Sequence, residues 1–95
     1  MSVRWTKPAL RDLEEIGDFI ARDDTIAAAK IVAAILDAAE SLAAHPHLGR
    51  AGRIAGAREL VVAQTPFIVP YWVVGDDVQI LAIFHGARRW PERFE

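Results

Sequence analysis

The apolar pattern of this chain changes from helical to strand spacing in the middle of the chain, and that change restricts what it can fold into. Between residues 6 and 44 apolar side chains recur at helical spacing, in two runs separated by "RDD" at residues 22–24. Between residues 58 and 85 they form short, nearly continuous runs, as in buried strands. A short alternating segment, "SVRW", precedes the helices. This order predicts an α+β domain in which a helical hairpin packs on one face of a mainly antiparallel four-stranded sheet.

The two helical runs have recognisable starts and ends. Thr6 offers an N-cap oxygen to the first helix, which should end near Arg22, and Pro8 is tolerated in its first turn. Thr25 is predicted to cap the second helix, and Pro46 to end it. The predicted inner stripe of the first helix is Leu10, Leu13, Ile16 or Gly17, and Ile20, with Arg11, Asp12, Glu14, Glu15 and Asp18 facing outward. The predicted stripe of the second is Ala28, Val32, Ile35, Leu36, Ala39, Leu42 and Ala43.

The second half of the chain reads as a glycine-rich loop followed by strands. The loop is predicted at residues 45–59, and the strands at 58–62, 67–74 and 78–85, with a hairpin turn at "GDD", residues 75–77. Pro70 falls inside the middle strand although it has no N–H for the ladder. We therefore expect a bulge there, or a proline nitrogen that faces an edge.

Length and composition limit the class of protein. The 95 residues form one predicted domain, 1–95, with a single modest core. The chain has no Cys, which suits a reducing compartment. No apolar run approaches the ~20 residues that cross a bilayer, and the first ten residues lack a signal-peptide core. We expect a cytoplasmic protein that neither binds a membrane nor requires a cofactor.

Few residues offer chemistry. His45 and His47 lie two apart in the loop and His85 is distant in sequence, so no metal site is predicted. Ser2 and Ser41 are outside any nucleophile motif, and no phosphate-binding glycine loop is present.

RNA cleavage is a reaction for which the chain does carry candidate residues. It requires an acid or base, here His85, and cations on the phosphate, here Arg58, Arg88 and Arg89. Tyr71 could assist. The alternative is that His85 only ends a strand and that the arginines are solvated.

The segment "ILAIFHGARRWP", residues 80–91, also suggests a binding surface. Its first half reads as core strand, so the chain first reaches solvent at His85, and Gly86 allows the backbone to turn. Arg88 and Arg89 have planar groups suited to acidic partners. Trp90 can either anchor in a partner's pocket or fold back as a lid on the core.

Four segments in order resemble one protein family. They are "WTKPALRDLEEIGDFI" near the start, residues 28–50 in the middle, "GARELVV", and "ILAIFHGARRWP". From Val3 to Pro91 the pattern resembles the RelE/ParE superfamily, toxins of bacterial toxin–antitoxin systems that are also called plasmid stabilisation proteins. The resemblance implies a helical hairpin on a curved antiparallel sheet, completed by the N-terminal strand.

The resemblance also implies a choice between two targets. RelE-type members resemble ribosome-dependent mRNA endonucleases, and their strand equivalent to "FIVPYWV" usually has a basic residue where this chain has Ile68. ParE-type members resemble inhibitors of DNA gyrase without nuclease activity, and often end in "HGARDxP". Here Arg89 stands in place of the acid.

The ParE-like interpretation sets the expected partners and contact residues. It implies a non-enzymatic toxin that binds gyrase, does not bind nucleic acid directly, and is neutralised by a ParD-like ribbon-helix-helix antitoxin. The expected target-binding residues are Arg58, His85, Arg88, Arg89 and Trp90. The endonuclease alternative would use His85, Arg58 and Arg88, and a degenerate toxin that binds only its antitoxin remains a third possibility.

Overall fold

Two helices and six strands make up residues 1–86, the part of the chain that the computed structural model describes. In chain order they are β1 (Ser2–Trp5), α1 (Lys7–Ala21), α2 (Thr25–Ser41), β2 (Arg50–Ala51), β3 (Arg58–Val61), β4 (Phe67–Val74), β5 (Asp77–Ile80) and β6 (Phe84–His85). The predicted α+β class is confirmed, with two helices followed by a mostly antiparallel open sheet.

The strand order in the sheet is β1-β5-β4-β3-β2, with β6 also paired to β4. β1 runs parallel to β5, from Ser2 opposite Asp77 to Trp5 opposite Ile80. The chain between these two strands contains the helical hairpin and strands β2 to β4. The other pairs are antiparallel. The sheet departs from the four strands expected in two ways: the glycine-rich loop contains β2, and the last predicted strand is split into β5 and β6.

The split in the last strand lies opposite Pro70. Tyr71 pairs with Ile80 and Ile68 with Phe84, so two residues of β4 oppose the three residues 81–83. The Pro70 carbonyl accepts a 3.0 Å hydrogen bond from the Leu81 N–H. Because the C=O and N of one strand residue face the same side, the missing proline donor also faces this strand. The predicted bulge is therefore present, and it interrupts the ladder.

The predicted N-cap is correct for α1 and wrong for α2. The Thr6 hydroxyl accepts from the Ala9 N–H and also donates to the Ile80 carbonyl of β5 at 2.8 Å, so it ties the helix start to the sheet. At α2 the cap is Asp24, whose Oδ1 accepts from the N–H groups of the second and third helical residues at 3.1 and 3.0 Å. Thr25 is the first helical residue instead. Asp and Thr are both favoured at this position, so residue type alone does not distinguish Asp24 from Thr25.

The inner face of α1 is rotated relative to the predicted stripe. Ala9 is fully buried, whereas Leu10 is 49% exposed. Leu13 and Ile16 pack against the core as expected. Asp12, which was predicted to face solvent, instead turns toward the sheet. On α2 the buried positions are Ala28, Ile35 and Ala39, followed by Leu42 just past the helix, while Leu36 is 42% exposed.

The core lies between the helical hairpin and the middle of the sheet. Its largest fully buried side chains are Tyr71, Ile35, Leu42, Ile80, Val62, Val69, Val78 and Pro70. Most of these come from β4 and β5, which are central strands. Within residues 1–86 no helix has the length and apolar character to cross a membrane.

The α2 cap allows a direct test of the corrected helix start. Replacing Asp24 with Ala removes both cap bonds, so the free energy of unfolding should fall by about 1 kcal/mol. Thr25→Ala is the control, because Thr25 is not the cap and Ala has the higher helix propensity, and it should change stability by less than about 0.5 kcal/mol. Urea titrations followed by far-ultraviolet circular dichroism would measure both. A larger loss for Thr25→Ala would restore Thr25 as the cap.

Candidate functional site

A cleft of about 650 Å³ lies between α1 and the end of the sheet where β4 begins and β6 ends. Its walls are apolar, with Ile16, Phe19 and Ile20 of α1 facing Phe67 and Ile83. Acidic and basic side chains line it as well: Asp12, Glu15, Asp18, Arg22 and His85. The cleft thus combines an apolar interior with a rim on which carboxylates outnumber the cations.

Asp12 is the carboxylate that lies deepest in this arrangement. Its Oδ2 accepts a 3.0 Å hydrogen bond from the Ile83 N–H. Burial raises the pKa of Asp12 above its usual value, and this outweighs the opposing effect of the Ile83 hydrogen bond. The signal for this inward position is its spacing, because residue 12 is three positions from the buried Ala9 and four from Ile16.

His85 forms the wall of the cleft on the sheet side. Its backbone pairs with Phe67 across β6 and β4, and the two rings meet edge to face with centroids 5.7 Å apart. The next residue, Gly86, donates to the Pro66 carbonyl at 2.7 Å. The half-exposed imidazole is held by packing on an aromatic ring at the point where the described chain ends.

Arg58 is the first residue of β3 and contacts the glycine-rich loop, away from the cleft. It lies opposite Tyr71 in the β3–β4 ladder, and its guanidinium donates to the Gly49 carbonyl at 2.8 Å. The buried Tyr71 hydroxyl donates to the Pro46 carbonyl and accepts from the Gly49 N–H, each at 2.9 Å. A Cβ at Gly49 would lie 2.7 Å from this ring, so the position requires glycine. Arg58 and Tyr71 together fasten the loop to the sheet.

A buried carboxylate completes that loop. Glu59 is only 3% exposed, and its side chain accepts from the Arg53 N–H at 2.8 Å and from the Arg50 guanidinium at 3.4 Å. A buried carboxylate is costly unless it is paired in this way. The arginines of the loop therefore serve its local structure.

The structure does not bring Arg58 and His85 together. Arg58 pairs with Tyr71 of β4, and His85 pairs with Phe67, four residues earlier in the same strand. The two pairings are on opposite sides of β4. Strand geometry then separates their Cα atoms by roughly 13 Å along β4 and about 10 Å across it. Ile68, where a nuclease-type cation would stand, is buried at 7% exposure. Arg88, Arg89 and Trp90 lie outside the described residues, so their predicted role stays a prediction.

Three comparisons with known proteins agree on the kind of protein. Residues 3–90 match the family model described as ParE toxin of type II toxin-antitoxin system, parDE. The chain is 49% identical over 90 residues to Y4kP of Sinorhizobium fredii, a protein named as a toxin, covering 95% of this chain and 93% of that one. It is 41% identical over 86 residues to Toxin RelE2 of Caulobacter vibrioides, covering 90% and 96% of the two chains.

A solved structure extends the likeness to the fold. It is that of the chromosomal ParDE toxin–antitoxin system from P. aeruginosa, which the chain matches with a TM-score of 0.80 and 33% identity over 90% of this chain and 95% of that chain. Together these likenesses define a toxin of the type II toxin–antitoxin class. The chain belongs to the ParE toxin family.

The raised pKa of Asp12 predicts how stability depends on pH. The folded state holds this proton more tightly than the unfolded state, so the contribution of Asp12 is most favourable below its unfolded pKa of about 3.8. It is lost as the pH rises through the higher folded pKa. Asp12→Asn keeps an oxygen for the Ile83 N–H without the charge, so at pH 7 it should be at least as stable as the parent.

Urea titrations between pH 3 and pH 7 would measure this effect. The difference between Asp12→Asn and the parent should shrink toward the acidic end. Asp18→Asn, which changes an exposed carboxylate on the same helix, is the control and should change stability by less than about 0.5 kcal/mol. A clear loss of stability in Asp12→Asn at pH 7 would mean that the negative charge stabilises the fold.

The Tyr71 hydroxyl is predicted to be important for stability. Tyr71→Phe would leave the Gly49 N–H and the Pro46 carbonyl without this partner in the interior, at a cost of about 1–3 kcal/mol. Ser41→Ala also deletes one hydroxyl, which donates to the Ala38 carbonyl inside the helical hairpin, and should cost less than about 0.5 kcal/mol. Thermal unfolding of the two variants would compare them, and equal losses would contradict the anchoring role.

Proposed function

We propose that this protein is a toxin that inhibits DNA gyrase by binding it, without a reaction of its own. The observation that carries the proposal is the separation of Arg58 from His85. An RNA-cleaving site needs its acid–base group and its phosphate-binding cations around one phosphate. Here the Arg58 guanidinium is engaged with a loop carbonyl at the far end of β4, and the strand position between them is the apolar Ile68.

The proposed contact surface begins where the described chain ends. His85 lies at the mouth of the cleft, and Arg88, Arg89 and Trp90 follow it in sequence. Arginine and tryptophan are the residue types enriched among the strongest contributors to protein interfaces. Arg58 would add to the contact only if the target also covers the glycine-rich loop.

We further propose that a cognate antitoxin of ParD-like, ribbon-helix-helix type neutralises the toxin. Support comes from the related P. aeruginosa structure, which is that of a ParDE toxin–antitoxin system. The helical hairpin also has strongly exposed apolar side chains, with Phe19 67% and Ile26 69% exposed. A stable complex would bury on the order of 2,000 Å².

An mRNA endonuclease is the second candidate function. It is favoured by the likeness to a Caulobacter protein named RelE2. It would depend on His85 as the acid–base group. A degenerate toxin that binds antitoxin alone is the third candidate, and it predicts no activity on either target.

The first experiment separates binding from catalysis. Purified toxin should inhibit supercoiling by gyrase in a defined assay that contains no ribosomes. His85→Ala should retain most of that inhibition, because the proposed role of His85 is contact alone. Loss of a general acid–base group lowers a nuclease roughly 100- to 10,000-fold, so its toxicity would disappear. His47→Ala, in an exposed loop, is the matched control.

The same assay tests the basic segment. The double variant Arg88→Glu, Arg89→Glu should lose inhibition of gyrase yet still bind the antitoxin. Lys7→Glu, Lys30→Glu carries the same charge change at exposed helix positions and should remain inhibitory. Cleavage of ribosome-bound mRNA by the wild-type toxin, with gyrase unaffected, would replace this proposal by the endonuclease.

A further inference from the structure

One face of α1 separates apolar side chains from carboxylates along the cleft. On a helix with about 100° between successive residues, Ile16, Phe19 and Ile20 fall within an arc of about 100°. Glu15 and Asp18 follow on one side of that arc, and both are exposed. The helical wall of the cleft is therefore amphipathic, with an apolar strip and an acidic flank.

The negative charge of this wall has little compensation. Three carboxylates line the cleft: Asp12, Glu15 and Asp18. Within residues 1–86 none of the three takes part in a salt bridge. The permanent cation of the described lining is Arg22, and its guanidinium carbon lies 5.8 Å from the centroid of the Phe19 ring. The cleft therefore favours a ligand that brings positive charge.

Phe19 gives the cleft the character of a binding surface. Its side chain is 67% exposed, although it is aromatic and lies beside the apolar residues Ile16 and Ile20. An exposed aromatic ring in an apolar patch with a polar rim is typical of sites that bind another protein. The ligand should therefore be apolar on one face as well as cationic.

The geometry favours a helical ligand over an extended strand. Asp12 already accepts from the Ile83 N–H at 3.0 Å, so this donor cannot pair with an added strand. Residues three apart on α1 have Cβ atoms about 5–6 Å apart, and a second helix presents side chains one turn apart at the same spacing. The wall from Asp12 to Arg22 is about 15 Å long, which corresponds to about three helical turns.

We propose that the cleft binds a cationic, amphipathic helix of another protein. The apolar stripe of that helix packs on Ile16 and Phe19, with anchors at i, i+3 or i+4, and i+7. Its lysines or arginines, one turn apart on the flank of the stripe, lie beside Glu15 and Asp18. The surface lies along α1, so this inference goes beyond the proposed function and does not depend on the identity of the toxin's target.

Binding of synthetic helical peptides to the full-length protein tests this proposal. The probe is an alanine-rich peptide of about 20 residues, long enough to be partly helical alone, with a leucine stripe and lysines on one flank. A matched peptide has glutamates in place of the lysines. Fluorescence anisotropy at low ionic strength should show binding of the lysine peptide and not of the glutamate peptide. Added salt should weaken that binding, because exposed charges are screened.

A double variant tests the acidic flank. Glu15→Gln, Asp18→Asn should weaken binding of the lysine peptide roughly fivefold, the effect of losing two exposed ion pairs. The control is Glu14→Gln, Asp37→Asn, which removes the same charges at exposed positions outside the cleft and should bind like the parent.

Two further substitutions should change binding in opposite directions. Phe19→Ala removes the exposed anchor and should weaken binding roughly fivefold or more. Its control is Ile26→Ala, which is equally exposed on the hairpin but does not line the cleft. Arg22→Gln removes a like charge beside the bound lysines and should strengthen binding about twofold, whereas Lys30→Gln on α2 should not.

Several outcomes would overturn the proposal. They are no binding of the lysine peptide, equal binding of the glutamate peptide, and equal affinities in the cleft variants and their controls. Self-association of the protein alone that is lost in Glu15→Gln, Asp18→Asn would assign the cleft to a second copy instead. The substituted side chains are exposed, so melting temperatures should match the parent. Neither gyrase nor antitoxin is present, so failure here would leave the gyrase assay unaffected.

Discussion

The absent N–H of Pro70 is the constraint on which the position of the candidate site depends. Pro70 is fully buried at the centre of the sheet, in the strand that pairs with β3, β5 and β6. A central strand normally cannot accept proline, because the neighbouring strand loses a partner. The neighbour responds with one extra residue between its pairings with Tyr71 and Ile68. The sheet therefore changes register at the point from which the chain goes on to His85.

The register change leaves a backbone N–H to which α1 can form a hydrogen bond. Once residues 81–83 leave the regular ladder, the Ile83 N–H is available to Asp12 of α1. A buried N–H must find an acceptor, so this bond offsets part of what the bulge costs. It also joins α1 to the segment just before β6, beside the cleft that His85 lines. One missing donor thus leads to the position of the candidate site.

The sequence allowed the element types to be predicted, but not the partners of particular side chains. Periodicity located both helices and β4 because many residues contribute to each pattern. β2 was missed since two residues inside a glycine-rich loop have no period. The polarity of Asp12 predicts a position in solvent, whereas its three-residue spacing from the buried Ala9 places it toward the sheet. Arg58 and His85 could be compared only after the topology placed them on opposite sides of β4.

Asp12 supplies a hydrogen-bond acceptor that the fold requires and a negative charge that the fold does not require. The Ile83 N–H requires an acceptor oxygen, and a neutral amide would supply one equally well. Burial opposes ionisation of Asp12 and raises its pKa, so the ionised carboxylate lowers the free energy of unfolding at neutral pH. Glu15 and Asp18 add like charge along the same wall, and within residues 1–86 neither forms an ion pair with the sheet. An apolar cleft that concentrates such carboxylates is better suited to binding a cationic, apolar partner than to completing a core.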